Sequence, residues 1–259
     1  MGKNYVLECK KVGIVFGGLA AVSDFDIQIG EQEIAGLIGP NGAGKTTVFN
    51  LLTKVYEPTS GEIFLNGKST KSETTVSLSK AGIARTFQNI RLFDKLSVCE
   101  NVMVAMNQNM HASLFDSIFR LPRHWKEEKK VREKALRLLS IFGMEDVADV
   151  QASSLPYGAQ RRLEIARALA TNPSLLLLDE PAAGMNPAET AELMRNIARI
   201  RDEFRISILL IEHDMSLVMG VCDKITVLNF GQVIACGTPA EIQSNPQVIE
   251  AYLGRKKEE

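Results

Sequence analysis

The sequence has no apolar run approaching the ~20 residues that cross a bilayer, so a spanning helix is not expected. It has no CxxC spacing. Cys9, Cys99, Cys222 and Cys236 are scattered, which argues against a zinc site or a disulfide framework. Cys99 and Cys236 have apolar neighbours and are expected to pack as small hydrophobes. Neither sign of charge is in excess: 30 Lys and Arg face 31 Asp and Glu, a formal charge of −1. With no long basic stripe, nucleic acid is not an expected partner. The start, Met1 to Val6, lacks the apolar core of a signal peptide, and no Ser or Thr follows Gly2 at the sixth position as myristoylation requires. A cytoplasmic location is expected. Internal repeats and low-complexity linkers are missing too.

What remains is an ordinary globular composition, 45% hydrophobic and 24% charged over 259 residues, enough for a substantial core. Val6–Cys9, Phe25–Ile29 and Glu33–Ile38 have strand length and patterning, and Glu62–Leu65 ends at the hairpin dipeptide Asn66-Gly67. From about Val98 to Phe142 the period becomes helical: Val98, Val102 and Ala105, then Ala135, Leu138, Leu139 and Phe142, with Gly143 as a stop. Leu175–Leu178, Ile206–Ile211 and Ile225–Leu228 read as buried parallel strands alternating with helices near 187–204 and 215–222.

Between the strand ending at Ile38 and a helix-like stretch lies Gly39-Pro40-Asn41-Gly42-Ala43-Gly44-Lys45-Thr46-Thr47, which fills every fixed position of GxxxxGK[ST]. Glycines let backbone N–H groups curl around a phosphate, the helix N-terminus adds partial positive charge, Lys45 adds a full one, and the Thr46 hydroxyl is placed for Mg²⁺. The pattern implies binding of a nucleoside triphosphate. Downstream, the apolar run Leu175–Leu178 ends in Asp179-Glu180. Asp179 is placed to orient the ion, and Glu180, at the strand's mouth, to accept a proton from an attacking water. A further strand ends at Glu212-His213-Asp214, where His213 is placed to reach the γ-phosphate. His111 and His124 fall in a polar stretch and are expected to be exposed. Leu155-Pro156-Tyr157-Gly158 reads as a turn entering an amphipathic helix whose N-terminus suits an anion.

The order of these blocks, with Gln88 about 40 residues after the phosphate loop, resembles the ATP-binding cassette (ABC) ATPases from Tyr5 to about Gly237. The resemblance implies one nucleotide-binding domain over 1–259. Its RecA-like parallel-sheet core and antiparallel β subdomain would span 1–88 and 166–259, and a helical subdomain 89–165. It implies ATP and Mg²⁺ as ligands, with Phe16 stacking on adenine; the alternative for Phe16 is a core aromatic. Gln88 would contact Mg²⁺ and the attacking water. Two such chains would face each other head to tail, each nucleotide lying between one phosphate loop and the other chain's turn at Tyr157, Gly158 and Gln160. The family's turn reads Leu-Ser-Gly-Gly-Gln. Here Pro156, Tyr157 and Ala159 replace Ser, the first Gly and Gln, so a hydroxyl contact to the opposing γ-phosphate is lost. Asn186 likewise stands where Asp is common.

Within the family, Arg85–Phe93, Pro181–Pro187, Ile211–Met215 and Ile249–Gly254 resemble the branched-chain amino acid uptake ATPases, and the insertion 107–125 their longer ATPase subunit. That resemblance implies a homo- or heterodimer on two permease subunits at the inner face of the membrane, with a substrate-binding protein acting indirectly. Urea or amide uptake and lipopolysaccharide export are related alternatives. A soluble mechanoenzyme and a non-hydrolysing sensor are the readings outside transport. The apolar stripe Leu114, Phe115, Ile118, Phe119, Leu121 is either a packed helix or a contact with a membrane subunit.

Overall fold

The computed structural model describes residues 4–106 and 122–253, the side chains of 122–127 and 253 excepted. Residues 107–121 of the insertion, with its apolar stripe and His111, thus lie outside the described residues, as do the His124 side chain and Gly254.

Strands β1 (Tyr5–Phe16) and β2 (Leu19–Gly30) form a long antiparallel hairpin. Strand β3 (Ile34–Ile38), buried at every position, runs into helix α1 (Lys45–Leu52). Strands β4 (Ser60–Leu65) and β5 (Lys68–Ser69) pair across Asn66-Gly67 and complete a sheet ordered β2-β1-β4-β5. Helix α2 (Thr75–Ala81) and strand β6 (Ile83–Arg85) precede a helical stretch. In it lie α3 (Val98–Met106), α4 (Pro122–Ser140) and α5 (Tyr157–Leu169). The divide expected at 165–166 falls within α5.

The remainder alternates strand and helix: β7 (Leu175–Asp179), α6 (Pro187–Phe204), β8 (Ser207–Ile211), α7 (Met215–Val221) and β9 (Lys224–Asn229). Strand β10 (Gln232–Gly237) and helices α8 (Pro239–Gln243) and α9 (Pro246–Leu253) close the described chain. The second sheet is ordered β10-β9-β3-β8-β7-β6 and is parallel apart from β10.

The apolar runs explain this arrangement. In β7, Leu175 and Leu177 point into a core shared with the antiparallel sheet and α1. Leu176 and Leu178 point into a second core filled by α3, α4, α5, α6 and α7. A strand buried on both faces needs apolar residues at every position, and parallel neighbours need helical crossovers. Because β3 is central, with β8 and β9 on either side, the phosphate loop leaves from the middle of the sheet. That edge is where ligands of open α/β sheets bind.

Two expectations change. Strand β1 continues well past Cys9, through an irregularity at Lys11 (φ 47°) that interrupts the apolar alternation. Cys236 is exposed rather than packed, because β10 is an edge strand, whereas Cys99 is buried as expected. Regular bonding in α4 ends at Ser140, and Gly143 (φ 61°) closes the helix as expected, with Gly143 N donating to Ser140 O and Met144 N to Leu139 O.

Candidate active site

The loop from Gly39 to Gly44 turns sharply because two glycines occupy backbone geometry closed to other residues. A Cβ on Gly39 (φ 154°) would lie 2.0 Å from Leu228 O, and one on Gly44 (φ 104°) 2.9 Å from Ala21 O. Gly44 caps α1, so Lys45, Thr46 and Thr47 form the first helical turn. The loop between them is held by Ala43 N donating to Pro40 O (3.1 Å) and Gly231 N donating to Ala43 O (2.9 Å). Asn41 and Gly42 are exposed at its tip. Lys45 Nζ donates to Gly39 O at 2.6 Å and Pro40 O at 3.0 Å. Burial pulls its ammonium below the ordinary lysine range, and the charges of Glu180 and Asp179 oppose that shift. The lysine at the start of α1 and the two carboxylates at the end of β7 are therefore electrostatic neighbours.

Asp179 is the buried last residue of β7. Its Oδ2 accepts from Arg85 Nη2 at 2.8 Å, and Arg85 Nη1 also donates to Asn50 Oδ1 in α1 at 2.8 Å. One guanidinium thus ties the end of β7 to the helix behind the phosphate loop. Glu180 takes a left-handed backbone (φ 47°), a conformation costing about 1–3 kcal/mol for a residue with a Cβ. Its side chain meets Gln88: Nε2 donates to Glu180 Oε2 at 3.1 Å. His213 Nδ1 lies 4.0 Å from Glu180 Oε1 and 3.6 Å from Glu212 Oε2, with the imidazole largely open to solvent. Gln88, Glu180 and His213 therefore converge although they stand far apart in sequence.

Phe16 is 44% exposed at the end of β1 and meets Tyr56 edge-on, centroids 5.1 Å apart. It is not a core aromatic. At the turn entering α5, Gly158 is buried and Tyr157 exposed, its ring against Gly184; a Cβ on Gly158 would lie 2.9 Å from Glu189 Oε1. Gln160 Nε2 donates to Leu155 O at 2.9 Å, so this side chain braces its own turn. Asn186 caps α6: its Oδ1 accepts from Ala188 and Glu189 N at 3.0 Å, and Glu189 Oε2 accepts from Asn186 N in return.

Several residues at the site were not singled out from the sequence. Arg85 is one. Glu212 is another: fully buried, it accepts from Ala182 N (2.7 Å) and His213 N (3.0 Å), joining the segment after Glu180 to the histidine turn. The buried pair Arg161 and Glu164 is the third. A carboxylate beside a motif histidine, and Arg and Glu three apart on one helix, were the available signals.

A phosphate loop on the central strand, strand-end carboxylates and an adjoining antiparallel sheet define a P-loop nucleotide-binding protein of cassette type. The chain belongs to the ABC transporter family, whose model matches residues 22–183, more than half of its length. Residues 232–258 match the model for the branched-chain amino acid ATP-binding cassette transporter. The chain is 48% identical to the high-affinity branched-chain amino acid transport ATP-binding protein LivG of Salmonella typhimurium, over 92% of this chain and 94% of that one. It is 30% identical to the lipopolysaccharide export ATP-binding protein LptB of Haemophilus influenzae, over 97% and 98% respectively. Among solved structures, the ADP conformation of MJ1267, an ATP-binding cassette of an ABC transporter, superimposes with a TM-score of 0.83. It shares 29% identity over 97% of this chain and 99% of that one. Among the described residues no helix is long and apolar enough to cross a membrane.

Proposed function

We propose that this chain is the ATPase subunit of an importer of branched-chain amino acids, one of two facing cassettes seated on two permease subunits at the inner face of the membrane. A substrate-binding protein would act on it only through the permeases. The convergence of Gln88, Glu180 and His213 beside Lys45 carries the hydrolytic part of this reading. The solute rests on the family placement, which favours amino acid uptake over lipopolysaccharide export.

The phosphates of ATP would lie on the N–H groups of residues 39–47, with Lys45 exchanging the carbonyls of Gly39 and Pro40 for phosphate oxygens. The exposed ring of Phe16 would stack on adenine. Thr46 and Gln88 offer neutral oxygens, hard donors that suit Mg²⁺, while Asp179 would stand one layer further out and hold the ion in place without binding it directly. Gln88 uses its amide nitrogen on Glu180, which leaves its oxygen for the ion. Bound there, Mg²⁺ would neutralise phosphate charge. Glu180 would polarise the attacking water while Gln88 holds its carboxylate, and His213 would stabilise charge developing on the γ-phosphate.

The second cassette would present its Tyr157-Gly158 turn. Pro156 and Tyr157 offer no side-chain hydroxyl equivalent to the family's serine, so backbone N–H groups and the helix dipole would supply that contact, each worth about 1 kcal/mol. ATP favouring the closed pair, and hydrolysis releasing it, would move the permeases between states. A permease contact would lie in the groove of about 390 Å³ lined by Val55, Leu78, Phe87, Phe93, Val104 and Arg167, of which Phe87 is one residue along the chain from Gln88.

The test is reconstitution with the neighbouring permeases and binding protein in proteoliposomes. Leucine uptake that requires ATP and stops with Glu180→Gln is expected. Turnover stimulated by urea or an amide, with leucine inert, would overturn the solute assignment.

A further inference from the structure

Arg161 is a large side chain with no exposed surface, in the interior between α5 and the strand ends. Its Nη1 donates to Phe87 O and to Glu164 Oε2 (2.8 Å). Its Nη2 donates to Gln88 O at 3.1 Å, Glu180 O at 2.9 Å and, more weakly, Asp179 O at 3.4 Å. Glu164 faces the same segment from the acceptor side: Oε1 receives Phe87 N at 3.3 Å and Arg91 N at 3.4 Å. A buried ion pair gains little stability over apolar residues of similar volume. Here its polar atoms are directed at the main chain beside two side chains, Gln88 and Glu180, that must meet.

We propose that Arg161, backed by Glu164, is a positioning residue that sets the Gln88–Glu180 contact through the backbone of both. The inference rests on the hydrolytic reading above. Three observations support it. The guanidinium fork spans two main-chain segments, which a single ammonium does not do. Glu180 has a left-handed backbone, and the charged bond to its carbonyl helps hold it there. Arg161 also lies three residues after Gly158 in α5, so the strap ends on the helix whose start is the proposed contact with the second nucleotide.

Two variants of the full chain test this. Arg161→Lys keeps a charge opposite Glu164 but cannot reach both segments. The paired Arg161→Met, Glu164→Leu change removes the ion pair without leaving a lone buried charge. We expect both to bind MgATP within about twofold of wild type and to turn over roughly 10- to 100-fold more slowly, the scale of an ångström-level misplacement. Turnover at the wild-type rate in either variant would overturn the proposal. So would loss of MgATP binding in step with turnover, which would mean structural support alone. If the paired variant does not fold, Arg161→Lys decides. Wild-type chain and Glu180→Gln run alongside: an inactive wild type sinks the ATPase reading, whereas an active wild type, a dead Glu180→Gln and an undiminished Arg161→Lys sink only the strap.

Discussion

Asp179 Oδ2 lies 2.8 Å from Arg85 Nη2, with the two side chains only 6% and 8% exposed. Removing the cation strands a buried carboxylate, a loss of about 3–5 kcal/mol for such pairs. Arg85→Ala is therefore expected to lower the urea midpoint strongly, and Asp179→Asn less so, because the amide oxygen can still accept from Arg85, which also keeps its bonds to Asn50 and Thr53. Urea titrations followed by circular dichroism measure both; an Arg85→Ala midpoint equal to wild type would show that the bridge contributes nothing.

Glu180 and Gln88 share one hydrogen bond, yet their losses should differ in kind. Glu180→Gln keeps the shape and the phosphate loop, so MgATP binding should persist while phosphate release falls by roughly 10²–10⁴-fold, the range for a general base. Gln88→Ala leaves the carboxylate in place but unguided, and turnover should fall less. Phosphate release and fluorescent-nucleotide titration separate the two effects. Hydrolysis at the wild-type rate by Glu180→Gln would remove Glu180 from its role.

Phe16 is 44% exposed and is not part of the core, which leaves its ring open for the adenine contact proposed above. Phe16→Ala should raise the KM for ATP by roughly 2- to 10-fold, from loss of an aromatic contact of about 0.5–1.5 kcal/mol, with kcat and folding nearly unchanged. A fall in melting temperature without any KM change would return Phe16 to a packing role.

The strand-end placement of the phosphate loop, Asp179-Glu180 and His213 was legible because each follows an apolar run of strand length. Arg85 and Asp179 meet across 94 residues, and no spacing rule announces such a pair. Arg161 and Glu164 share a helical face, but nothing in the local pattern says that this polar face, rather than the apolar one, closes over the strand ends. Cys236 misled for a similar reason: its apolar neighbours suit a strand, but the edge position of β10 leaves its side chain outside. Asn186 departs from the family loop, yet its helix-capping role needs only the short polar side chain that Asn and Asp share.

Thiol reactivity follows from the same placement. Burial raises the Cys9 and Cys99 thiols and pushes Cys222 up to about 12, whereas Cys236 is exposed. At pH 8 one thiol should react quickly with a disulfide reagent in the native chain and four after denaturation. The neutral buried thiols also carry a sign for stability. Their contribution is full below the unfolded thiol value of about 8.5 and declines as pH climbs towards the raised folded values. Two or more fast thiols at pH 8 would contradict the burial of the other three.

Asn186 gives the narrowest test of how a helix cap is built here. Its side chain receives two N–H groups of α6, and Glu189 returns a bond to the Asn186 backbone. Asn186→Ala should cost about 0.5–2 kcal/mol, since two donors at the start of a helix lose their acceptor. Asn186→Asp should match or slightly exceed wild type, because an anion there also meets the positive end of the helix dipole. Glu189 also lies against Gly158, where a Cβ would come within 2.9 Å of its carboxylate. The alanine variant should therefore loosen the Gly158 turn as well, raising the MgATP concentration needed to bring two cassettes together. Sedimentation of an otherwise hydrolysis-deficient Glu180→Gln background reads that threshold. A threshold unmoved by Asn186→Ala, despite the stability loss, would separate the cap from the turn.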